Sequence, residues 1–395
     1  MKLSIVIPVF NEEASIRALI ERCLQFKQTI GTTSFLKDVE IIVVSDGSTD
    51  KTVEYVRQFG NKIELLIFEA NKGYGAAIKH GWEHSSGDIL GFLDGDGTCD
   101  PYFFIELTKV LIEKEVDIAL GSRLNKSSKM PLVRRIGNRF FSLMLSAMSA
   151  QKVSDTASGM RVVRKSSLKK ILPLPNGLHF TPAMSARAAL SHELKISEVE
   201  MPYAERQGES KLNVIKDSWR FLGTILKTVA LYKPHLFLNW SGVLSLLFGV
   251  ILIFGPVIHY LNYVEVEEWM IYRFVTCNLL VLCSTLFFSA SFLIEKIISF
   301  TIRKSTTDTR GNRLIRYLFD RKTLFIVIPL LLLTGYLLIQ HSLYERILTG
   351  HTQEHWSRFI AMSTLVGPAL ILTITKIVDY FLNLIIDYLN FLRNQ

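Results

Sequence analysis

Asp94 and Asp96 are the residues of this chain whose types and spacing most directly suggest chemistry. They follow an apolar run, Ile89–Leu93, that predicts a buried strand, so both carboxylates lie at its carboxyl end. Ligands of open α/β sheets bind at that edge. Two carboxylates this close repel each other unless a cation lies between them, and their hard oxygen atoms suit Mg²⁺ or Mn²⁺. The pair predicts a divalent metal site, with a solvated Asp-Gly turn as the alternative.

Strand and helix patterns alternate through the N-terminal part of the chain and must position this pair. We expect strands at Leu3–Val9, Glu40–Ser45, Ile63–Ile67, Ile89–Asp94 and Val116–Arg123. Asn11 is predicted to cap a helix that runs from about Glu12 to Phe26. The nearly continuous apolar strands predict an α/β fold in which a parallel sheet is covered by helices on both faces.

Several other residues are expected at the same edge of the sheet. Pro8, Asn11 and Glu12 follow the first strand, Asp46 follows the second, and Gly73 lies in a turn of small residues after the third. A carboxylate at Asp46 can accept a hydrogen bond from a base or ribose, and small residues around Gly73 would admit a nucleotide. Singly, each is an ordinary loop or cap residue. Together they predict a nucleotide pocket with a metal at one end, and neither a P-loop nor a dinucleotide motif is present.

Arginines are concentrated beyond the fifth strand. A guanidinium group can bind a phosphate through two parallel hydrogen bonds. We assign phosphate binding to Arg123 and to one of Arg134 and Arg135, with a solvated basic face as the alternative. Asp155 adds a third carboxylate to this region and is predicted to be catalytic.

A polar loop and an amphipathic stretch end the N-terminal part. Arg206 and Lys211 lie in the loop, where they could close over a bound phosphate. From 212 to 234, apolar residues recur at helical spacing beside basic residues. This pattern predicts one or two interfacial helices among lipid headgroups, with a core-packing helix as the alternative. We therefore expect a catalytic domain at 1–211, interfacial helices at 212–234 and a transmembrane domain at 235–395.

The C-terminal part is dominated by long apolar runs, in a chain of 395 residues with 49% hydrophobic residues and a net charge of +9. Four spans are predicted, at about 236–258, 271–294, 323–341 and 359–385. The connecting segment 259–270 carries glutamates but no Lys or Arg, whereas 295–322 is rich in both. By the positive-inside rule the basic segment is cytoplasmic.

This orientation places the catalytic domain and both termini on the cytoplasmic side of the cell membrane. The N-terminus shows no signal-peptide pattern. The four cysteines show no paired spacing, which suggests a reducing compartment. Cytoplasmic basic loops explain the positive charge better than nucleic-acid binding does.

Motifs spread over residues 1–233 resemble those of family 2 glycosyltransferases, in particular the dolichol-phosphate mannose synthase or polyprenyl-phosphate glycosyltransferase type. The motifs are Pro8–Glu13, Ser45–Asp50, Asn71–Gly75, Asp94–Asp96, Gly121–Arg123, Asp155–Arg161 and Arg206–Lys211. The resemblance implies an A-type, Rossmann-like glycosyltransferase fold, here followed by about four transmembrane helices. It also implies a metal at Asp94 and Asp96. The chain departs from the family pattern at Ser45, where the family usually has Asp, and at Thr98, where it often has Gln.

The implied reaction is the metal-dependent, inverting transfer of a hexose from a nucleotide sugar to the phosphate of a polyprenyl phosphate. GDP-mannose and UDP-glucose are the candidate donors, and dolichyl and undecaprenyl phosphate are the candidate acceptors. The lipid-linked product would feed protein glycosylation, or cell-wall or lipopolysaccharide biogenesis. The expected partners are the two substrates and the membrane, without nucleic acid, and a homo-oligomer is a possible assembly.

Other functions are weighed against this one. A glycosyltransferase acting on a different lipid, such as diacylglycerol, and a non-catalytic membrane scaffold with a vestigial domain stay open as alternatives. A processive polysaccharide synthase is disfavoured because the QxxRW motif of such enzymes is absent, and Trp219 follows Lys-Asp-Ser instead.

Overall fold

The structure is a computed structural model that describes residues 1–30, 35–125, 128–149, 151–206, 213–303, 310–352 and 354–393. The chain divides into two units, Met1–Val229 and Ala230–Gln395. The first unit contains the sheet and the predicted site residues. The second consists of helices within the part that the structure describes.

Among the described residues, seven strands form one mixed sheet in the first unit. They are β1 (Lys2–Val9), β2 (Asp38–Asp46), β3 (Glu64–Phe68), β4 (Ile89–Leu93), β5 (Ile118–Ser122), β6 (Met160–Arg164) and β7 (Ile196–Glu200). Their order is β3-β2-β1-β4-β6-β5-β7. Strands β1 to β4 pair in parallel, and so do β5 and β7. Strand β6 runs antiparallel to both β4 and β5.

Strand β6 corrects the expectation of an all-parallel sheet. Its sequence is short and carries Arg161 and Arg164, so it lacks the apolar run that predicts the other strands of the first half. The structure buries Arg161 completely, and its guanidinium donates to the carbonyl oxygens of Ser158 and Thr156 and to the hydroxyl of Ser185. A buried arginine is tolerated in the middle of a sheet because these acceptors satisfy its donors.

Helices cover both faces of the sheet. The helices that begin in the first unit are α1 (Ile16–Thr29), α2 (Thr52–Arg57), α3 (Tyr74–His84), α4 (Phe104–Glu113), α5 (Leu132–Met148), α6 (Leu168–Ile171), α7 (Phe180–Leu190) and α8 (Val214–Tyr232). One apolar cluster joins α1 and α4 to the sheet, and a second joins α3 and α7 to it. Successive residues of β1, such as Ile5 and Val6, belong to opposite clusters, because side chains of a strand point alternately to the two faces of the sheet.

Asn11 does not cap the first helix, contrary to the prediction. The helix begins at Ile16, and Asn11 adopts a left-handed backbone conformation with φ 53°. Its backbone N–H donates to Ser48 Oγ at 3.1 Å, and its side-chain oxygen accepts from the Thr49 N–H at 2.7 Å. Asn11 therefore ties the loop after β1 to the loop after β2.

The second unit contains α9 (Pro234–Tyr263), α10 (Ile271–Ile298), α11 (Arg310–Leu318), α12 (Arg321–Thr349) and α13 (Trp356–Arg393). Four stretches in it are long and apolar enough to cross a membrane. These are Pro234–Tyr263, Glu268–Thr301, Arg321–Thr349 and Trp356–Leu392. The predicted order of elements, an α/β domain followed by about four helices long and apolar enough to span a membrane, is confirmed. The helices extend beyond the predicted spans because they continue into polar residues that hydropathy alone excludes.

Small residues allow the long helices to pack closely. Helix α10 packs against α9 and α13, and α12 packs against α13. A Cβ atom at Gly242 of α9 would lie 2.9 Å from the ring of Phe288 in α10, so glycine is required for this approach. Asp379 of α13 forms ion pairs with Lys376 and Lys296, which neutralises the charges that interrupt the fourth span.

Candidate active site

A cavity of about 480 Å³ lies in the first unit, at the carboxyl ends of β1, β2, β4 and β5. Its lining contains nine of the predicted site residues: Pro8, Glu12, Asp46, Gly73, Asp94, Asp96, Arg123, Arg134 and Arg206. Asn11, Arg135 and Asp155 are described by the structure but are not among its lining residues. Lys211 lies outside the described residues. The sheet therefore gathers side chains that are far apart in the sequence, as expected for this edge.

The two carboxylates after β4 are held by neighbouring groups. The Tyr74 hydroxyl donates to Asp94 Oδ1 at 2.6 Å. Asp96 Oδ1 accepts from the Thr98 hydroxyl at 2.6 Å and from its backbone N–H at 3.1 Å. A Cβ atom at Gly159 would lie 1.7 Å from Asp94 Oδ2, so only glycine at this position leaves room for the carboxylate. The carboxylates are thus placed by the surrounding chain before any ligand binds.

The electrostatics of this pair favour a cation. Burial raises the pKa of Asp94 to about 7, and the charge of Asp96 adds to the shift. A divalent cation would offset the cost of ionising Asp94 in a buried site beside Asp96, and carboxylate oxygens are its preferred ligands. Within the described part of the chain, no group of three or more His, Cys, Asp or Glu side chains is arranged to hold a metal. The donor set therefore fits a cation whose remaining ligands are water or substrate phosphate, the arrangement that Mg²⁺ favours.

Arg206 bridges two acidic residues inside the cavity. Its Nη2 donates to Glu12 Oε1 at 2.6 Å, and its Nη1 lies 3.4 Å from Asp96 Oδ2. About one fifth of the side chain is exposed. Its Nε atom is buried without a hydrogen-bond partner among the described residues. Arg206 thus brings a positive charge directly to the carboxylates predicted to bind metal.

Arg123 and Asp155 form a closed ion pair. Arg123 donates from Nε to Asp155 Oδ2 at 2.8 Å and from Nη2 to Oδ1 at 2.9 Å, and its backbone N–H donates to Oδ2 as well. Burial alone would raise the pKa of Asp155, but the Arg123 charge and hydrogen bonds outweigh it and lower that pKa. The fully buried Asp155 is held by Arg123 and does not line the cavity, and its catalytic role stays a prediction.

Asn138 belongs to the same arrangement, and the sequence analysis missed it. Its amide nitrogen donates to Asp155 Oδ1 at 2.6 Å, and its oxygen accepts from the Thr156 hydroxyl at 2.9 Å. Asn138 also lines the cavity. The sequence gives no sign that an asparagine within a helix contacts Asp155, because Asp155 lies 17 residues further along the chain, in the following loop.

The structure distinguishes Arg134 from Arg135, which the sequence does not. Arg135 Nη2 donates to the carbonyl oxygens of Asn125 and Ser128, at 3.3 and 3.0 Å. Arg135 therefore holds the loop between β5 and α5. Arg134 lines the cavity. Consecutive helical residues point about 100° apart, so only one of the two reaches the site.

The Asp46 carboxylate accepts hydrogen bonds from the backbone of the turn after β3. Asp46 Oδ1 accepts from the Lys72 N–H at 2.7 Å, and Oδ2 accepts from the Gly73 N–H at 3.0 Å. Burial raises the pKa of Asp46. Because hydrogen bonds to these N–H groups already use both oxygens, less of the carboxylate is available to a nucleoside than the sequence predicted.

The small residues after β3 let the Asn176 backbone approach closely, and Gly73 also lines the cavity. Gly73 has φ 104°, and a Cβ atom there would lie 2.5 Å from the carbonyl oxygen of Asn176. That oxygen accepts from the N–H groups of Gly75 and Ala76, at 2.6 and 3.1 Å. The first turn of α3 therefore donates to residue 176, and the approach of a nucleotide at Gly73 stays a prediction.

Tyr74 is a second site residue that the sequence analysis missed. It lies inside the motif Asn71–Gly75, where the sequence prediction rests on the glycines alone. Its hydroxyl contacts Asp94, and its ring packs edge-on against Phe92 and Phe180. Nothing in its sequence position indicates a partner twenty residues further along the chain.

Residues 4–172 match the sequence model of the family described as Glycosyl transferase family 2. The low-salt glycan biosynthesis hexosyltransferase Agl6 of Haloferax volcanii is 31% identical over 254 residues, which cover 62% of this chain and 58% of that protein. The dodecaprenyl-phosphate galacturonate synthase of Rhizobium johnstonii is 27% identical over 219 residues, covering 54% and 62%. The undecaprenyl-phosphate 4-deoxy-4-formamido-L-arabinose transferase of Edwardsiella ictaluri is 27% identical over 258 residues, covering 64% and 76%.

Residues 4–172 therefore form a family 2 glycosyltransferase domain. The predicted resemblance to this family, with relatives named as polyprenyl-phosphate sugar transferases, is confirmed. The chain spans less than two thirds of the length of the Haloferax and Rhizobium relatives.

Proposed function

We propose that this protein transfers a hexose from a nucleotide sugar to the phosphate of a polyprenyl phosphate. The observation that carries the proposal is the cavity in which Asp94 and Asp96 occur together with Arg134 and Arg206. Carboxylates suit a metal-bound diphosphate, and arginines suit phosphate groups. The family 2 domain supplies the class of reaction, and the names of two relatives supply the class of acceptor.

The donor side of the site comprises Asp94, Asp96, Glu12 and Arg206. Asp94 and Asp96 would hold Mg²⁺ or Mn²⁺, which would supply charge stabilisation for the departing nucleoside diphosphate. Arg206 already contacts Asp96, so a modest movement of its guanidinium would bring it to the same diphosphate. Pro8, Asp46 and Gly73 line the cavity where the nucleoside would lie.

The acceptor side of the site comprises Arg134 and Arg123. Arg134 lines the cavity and would bind the lipid phosphate directly. Two side-chain nitrogens of Arg123, Nε and Nη2, donate hydrogen bonds to Asp155. Arg123 would therefore contribute positive charge and shape to the acceptor site, but these two N–H groups would not form a bidentate contact with the phosphate. This division assigns the main acceptor contact to Arg134.

The transfer itself needs little acid–base assistance. A phosphate oxygen of the lipid attacks the anomeric carbon, the new carbon–oxygen bond forms, and the bond to the nucleoside diphosphate breaks. Because the phosphate monoester is already largely ionised at neutral pH, no residue has to remove a proton. A single displacement by an attacking group opposite the leaving group inverts the anomeric centre. Holding both phosphates in line is the principal contribution of the arginines.

We further propose that the glycosyltransferase unit lies on the cytoplasmic side. The segment from Val264 to Glu268, between α9 and α10, carries acidic residues, whereas the chain between α10 and α12 is strongly basic. Basic loops are retained in the cytoplasm. Nucleotide sugars would then be available to the cavity from that compartment.

The test uses the full chain purified in detergent with Mn²⁺. Labelled GDP-mannose and UDP-glucose are each supplied with dolichyl phosphate, undecaprenyl phosphate or diacylglycerol, and label entering the organic phase is counted. We expect transfer from one donor to a polyprenyl phosphate, abolished by EDTA and by Asp96→Asn. Asp100→Asn is the matched control, because Asp100 pairs with Arg22 at the surface and does not line the cavity.

The outcomes separate the candidate functions. Label on diacylglycerol alone would replace the acceptor in the proposal. Binding of a nucleotide sugar without transfer to any acceptor would favour the non-catalytic scaffold. Transfer that survives EDTA and Asp96→Asn would contradict the assigned metal site.

A further inference from the structure

Tyr203 is a largely buried residue of the cavity wall. It lies in the chain between β7 and α8, and only 8% of the residue is exposed. It lines the same cavity as Asp94 and Asp96. A buried tyrosine ordinarily finds a hydrogen-bond partner for its hydroxyl group. Within the part of the chain that the structure describes, no partner accepts from or donates to the Tyr203 hydroxyl.

The backbone around Tyr203 is fixed between two loops. The Tyr203 carbonyl oxygen accepts from the N–H group of Lys129, in the loop after β5, at 3.1 Å. The N–H group of the next residue, Ala204, donates to the carbonyl oxygen of Thr98, in the loop after β4, at 2.9 Å. Tyr203 is therefore held between the ends of the two strands that carry the carboxylate pair and Arg123.

The ring of Tyr203 lies against the guanidinium group of Arg123, with Cζ 5.4 Å from the ring centroid. Two nitrogens of that group, Nε and Nη2, donate to Asp155. The third, Nη1, makes no hydrogen bond to any residue that the structure describes, and about one tenth of the Arg123 side chain is exposed. Arg123 therefore keeps one side-chain nitrogen for a ligand beside the Tyr203 ring.

The charges that act on the Tyr203 hydroxyl indicate where it points. Burial raises the pKa of Tyr203, the Arg123 charge opposes this shift, and the charges of Asp96 and Asp94 add to it. The hydroxyl therefore lies near all three charged groups. Because its pKa stands above the ordinary value of about 10, the phenol is protonated at neutral pH and can donate a hydrogen bond.

A hydroxyl donor beside a guanidinium nitrogen suits the oxygen atoms of a phosphate group. We propose that the Tyr203 hydroxyl, together with Nη1 of Arg123, binds a phosphate group of a substrate. The source of that phosphate rests on the proposed function, under which it belongs to the lipid acceptor or to the nucleotide donor. The alternative is that Tyr203 only covers Arg123 with its ring, and phenylalanine would then serve equally well.

Tyr203→Phe tests the proposal, because it removes the hydroxyl and keeps the ring against Arg123. Isothermal titration calorimetry on the full chain in detergent measures binding without turnover. The probes are citronellyl phosphate, which is a short isoprenyl phosphate, its phosphate-free counterpart citronellol, and GDP and UDP with Mn²⁺. Tyr102→Phe is the matched control, because the Tyr102 ring also lies against an arginine, 4.8 Å from Arg22 Cζ, but does not line the cavity.

We expect Tyr203→Phe to weaken the binding of citronellyl phosphate by about 10-fold to 100-fold, the effect of one hydrogen bond to a charged group. Citronellol binding should change little, and so should every affinity of Tyr102→Phe. A loss confined to GDP and UDP would support the phosphate contact and assign it to the donor. Unchanged affinity of Tyr203→Phe for all the phosphate probes would overturn the proposal, and so would an equal loss for citronellol.

Steady-state transfer to undecaprenyl phosphate separates this proposal from the proposed function. Tyr203→Phe should raise the KM for the acceptor more than it lowers turnover at saturating acceptor. If the unmodified protein transfers no sugar but binds citronellyl phosphate in a way that depends on Tyr203, the proposed function fails and the phosphate site stands. If Tyr203→Phe matches the unmodified protein in both binding and transfer, only the phosphate site fails.

Discussion

Two arginine–carboxylate clusters lie in the first unit, and they differ in how completely their charges are paired. Arg123 and the fully buried Asp155 share two side-chain hydrogen bonds of 2.8 and 2.9 Å, and about one tenth of the Arg123 side chain is exposed. Arg206 contacts Glu12 closely but lies 3.4 Å from Asp96, and it remains partly exposed. Asp155 accepts from Arg123 on both of its oxygens, whereas the buried Nε atom of Arg206 has no hydrogen-bond partner among the described residues.

This difference separates a group that builds the site from a group that can exchange partners during a reaction. A buried, bidentate pair cannot release its arginine without leaving an uncompensated charge. Arg206, about one fifth exposed, can exchange a carboxylate for a substrate phosphate inside the cavity, because the phosphate would replace the lost counter-charge. The comparison predicts that the Arg123 cluster governs stability and the Arg206 cluster governs turnover.

The largest effect is expected from breaking the buried pair. Asp155→Asn leaves the Arg123 charge without its counter-ion, which should reduce the free energy of unfolding by about 3–5 kcal/mol. Denaturant titration of the full chain in detergent, followed by tryptophan fluorescence, measures this. The control is Asp100→Asn, which breaks the half-exposed pair with Arg22 and should cost about 0–1 kcal/mol. Equal losses in the two variants would show that the pairs do not differ as described.

Removing the exchangeable arginine should affect catalysis instead. Arg206→Ala is expected to lower turnover on the order of 100-fold, because it removes charge stabilisation of the leaving group. Donor affinity should fall less, and the unfolding transition should remain close to that of the unmodified protein. Steady-state kinetics with varied donor concentration separate these effects. Equal losses in turnover and donor affinity would contradict a role specific to the transition state.

A smaller effect is expected where the tyrosine hydroxyl meets the carboxylate pair. Tyr74→Phe removes the 2.6 Å hydrogen bond to Asp94 and, with it, an interaction that lowers the pKa of that carboxyl. Turnover near pH 7 should fall about tenfold or less. Part of the loss should be recovered at higher pH, where Asp94 ionises again. Tyr102→Phe, outside the cavity, is the control, and a loss that does not depend on pH would contradict this explanation.

The smallest effect concerns the pH dependence of stability. The pKa of Asp94 is raised from 3.8 to about 7 in the folded protein, so its stabilising contribution is complete below the unfolded pKa and is lost as pH rises through about 7. In EDTA, the melting temperature at pH 8 should therefore be a few degrees below that at pH 6. Mn²⁺ should stabilise the protein more at pH 8, where the carboxylate is ionised.

Asp94→Asn supplies the control for this measurement, because it removes the titrating group. The variant should lose both the pH-dependent decline and the stronger effect of Mn²⁺ at pH 8. A decline that persists unchanged in the variant would assign it to another group.

Much of the fold was predictable because its determinants are local. The first five strands were placed within a few residues, since each is a short apolar run that ends at polar residues. Strand β6 was missed because its arginines conceal a buried segment, and the buried acceptors around Arg161 are contributed by other parts of the chain. The bounds of the long helices were underestimated because hydropathy detects only their apolar centres.

The sequence by itself determined the order of the first five strands, the four apolar helices and the set of charged residues at the sheet edge, because hydropathy and strand period depend on neighbouring residues. Only the tertiary structure decided how those charges pair. In the tertiary structure, Asp155 pairs with Arg123, Arg135 but not Arg134 contacts the carbonyl oxygen of Ser128, and the Asn176 backbone lies beside Gly73. These choices depend on distances between residues far apart in the chain, which the packing of helices against the sheet establishes.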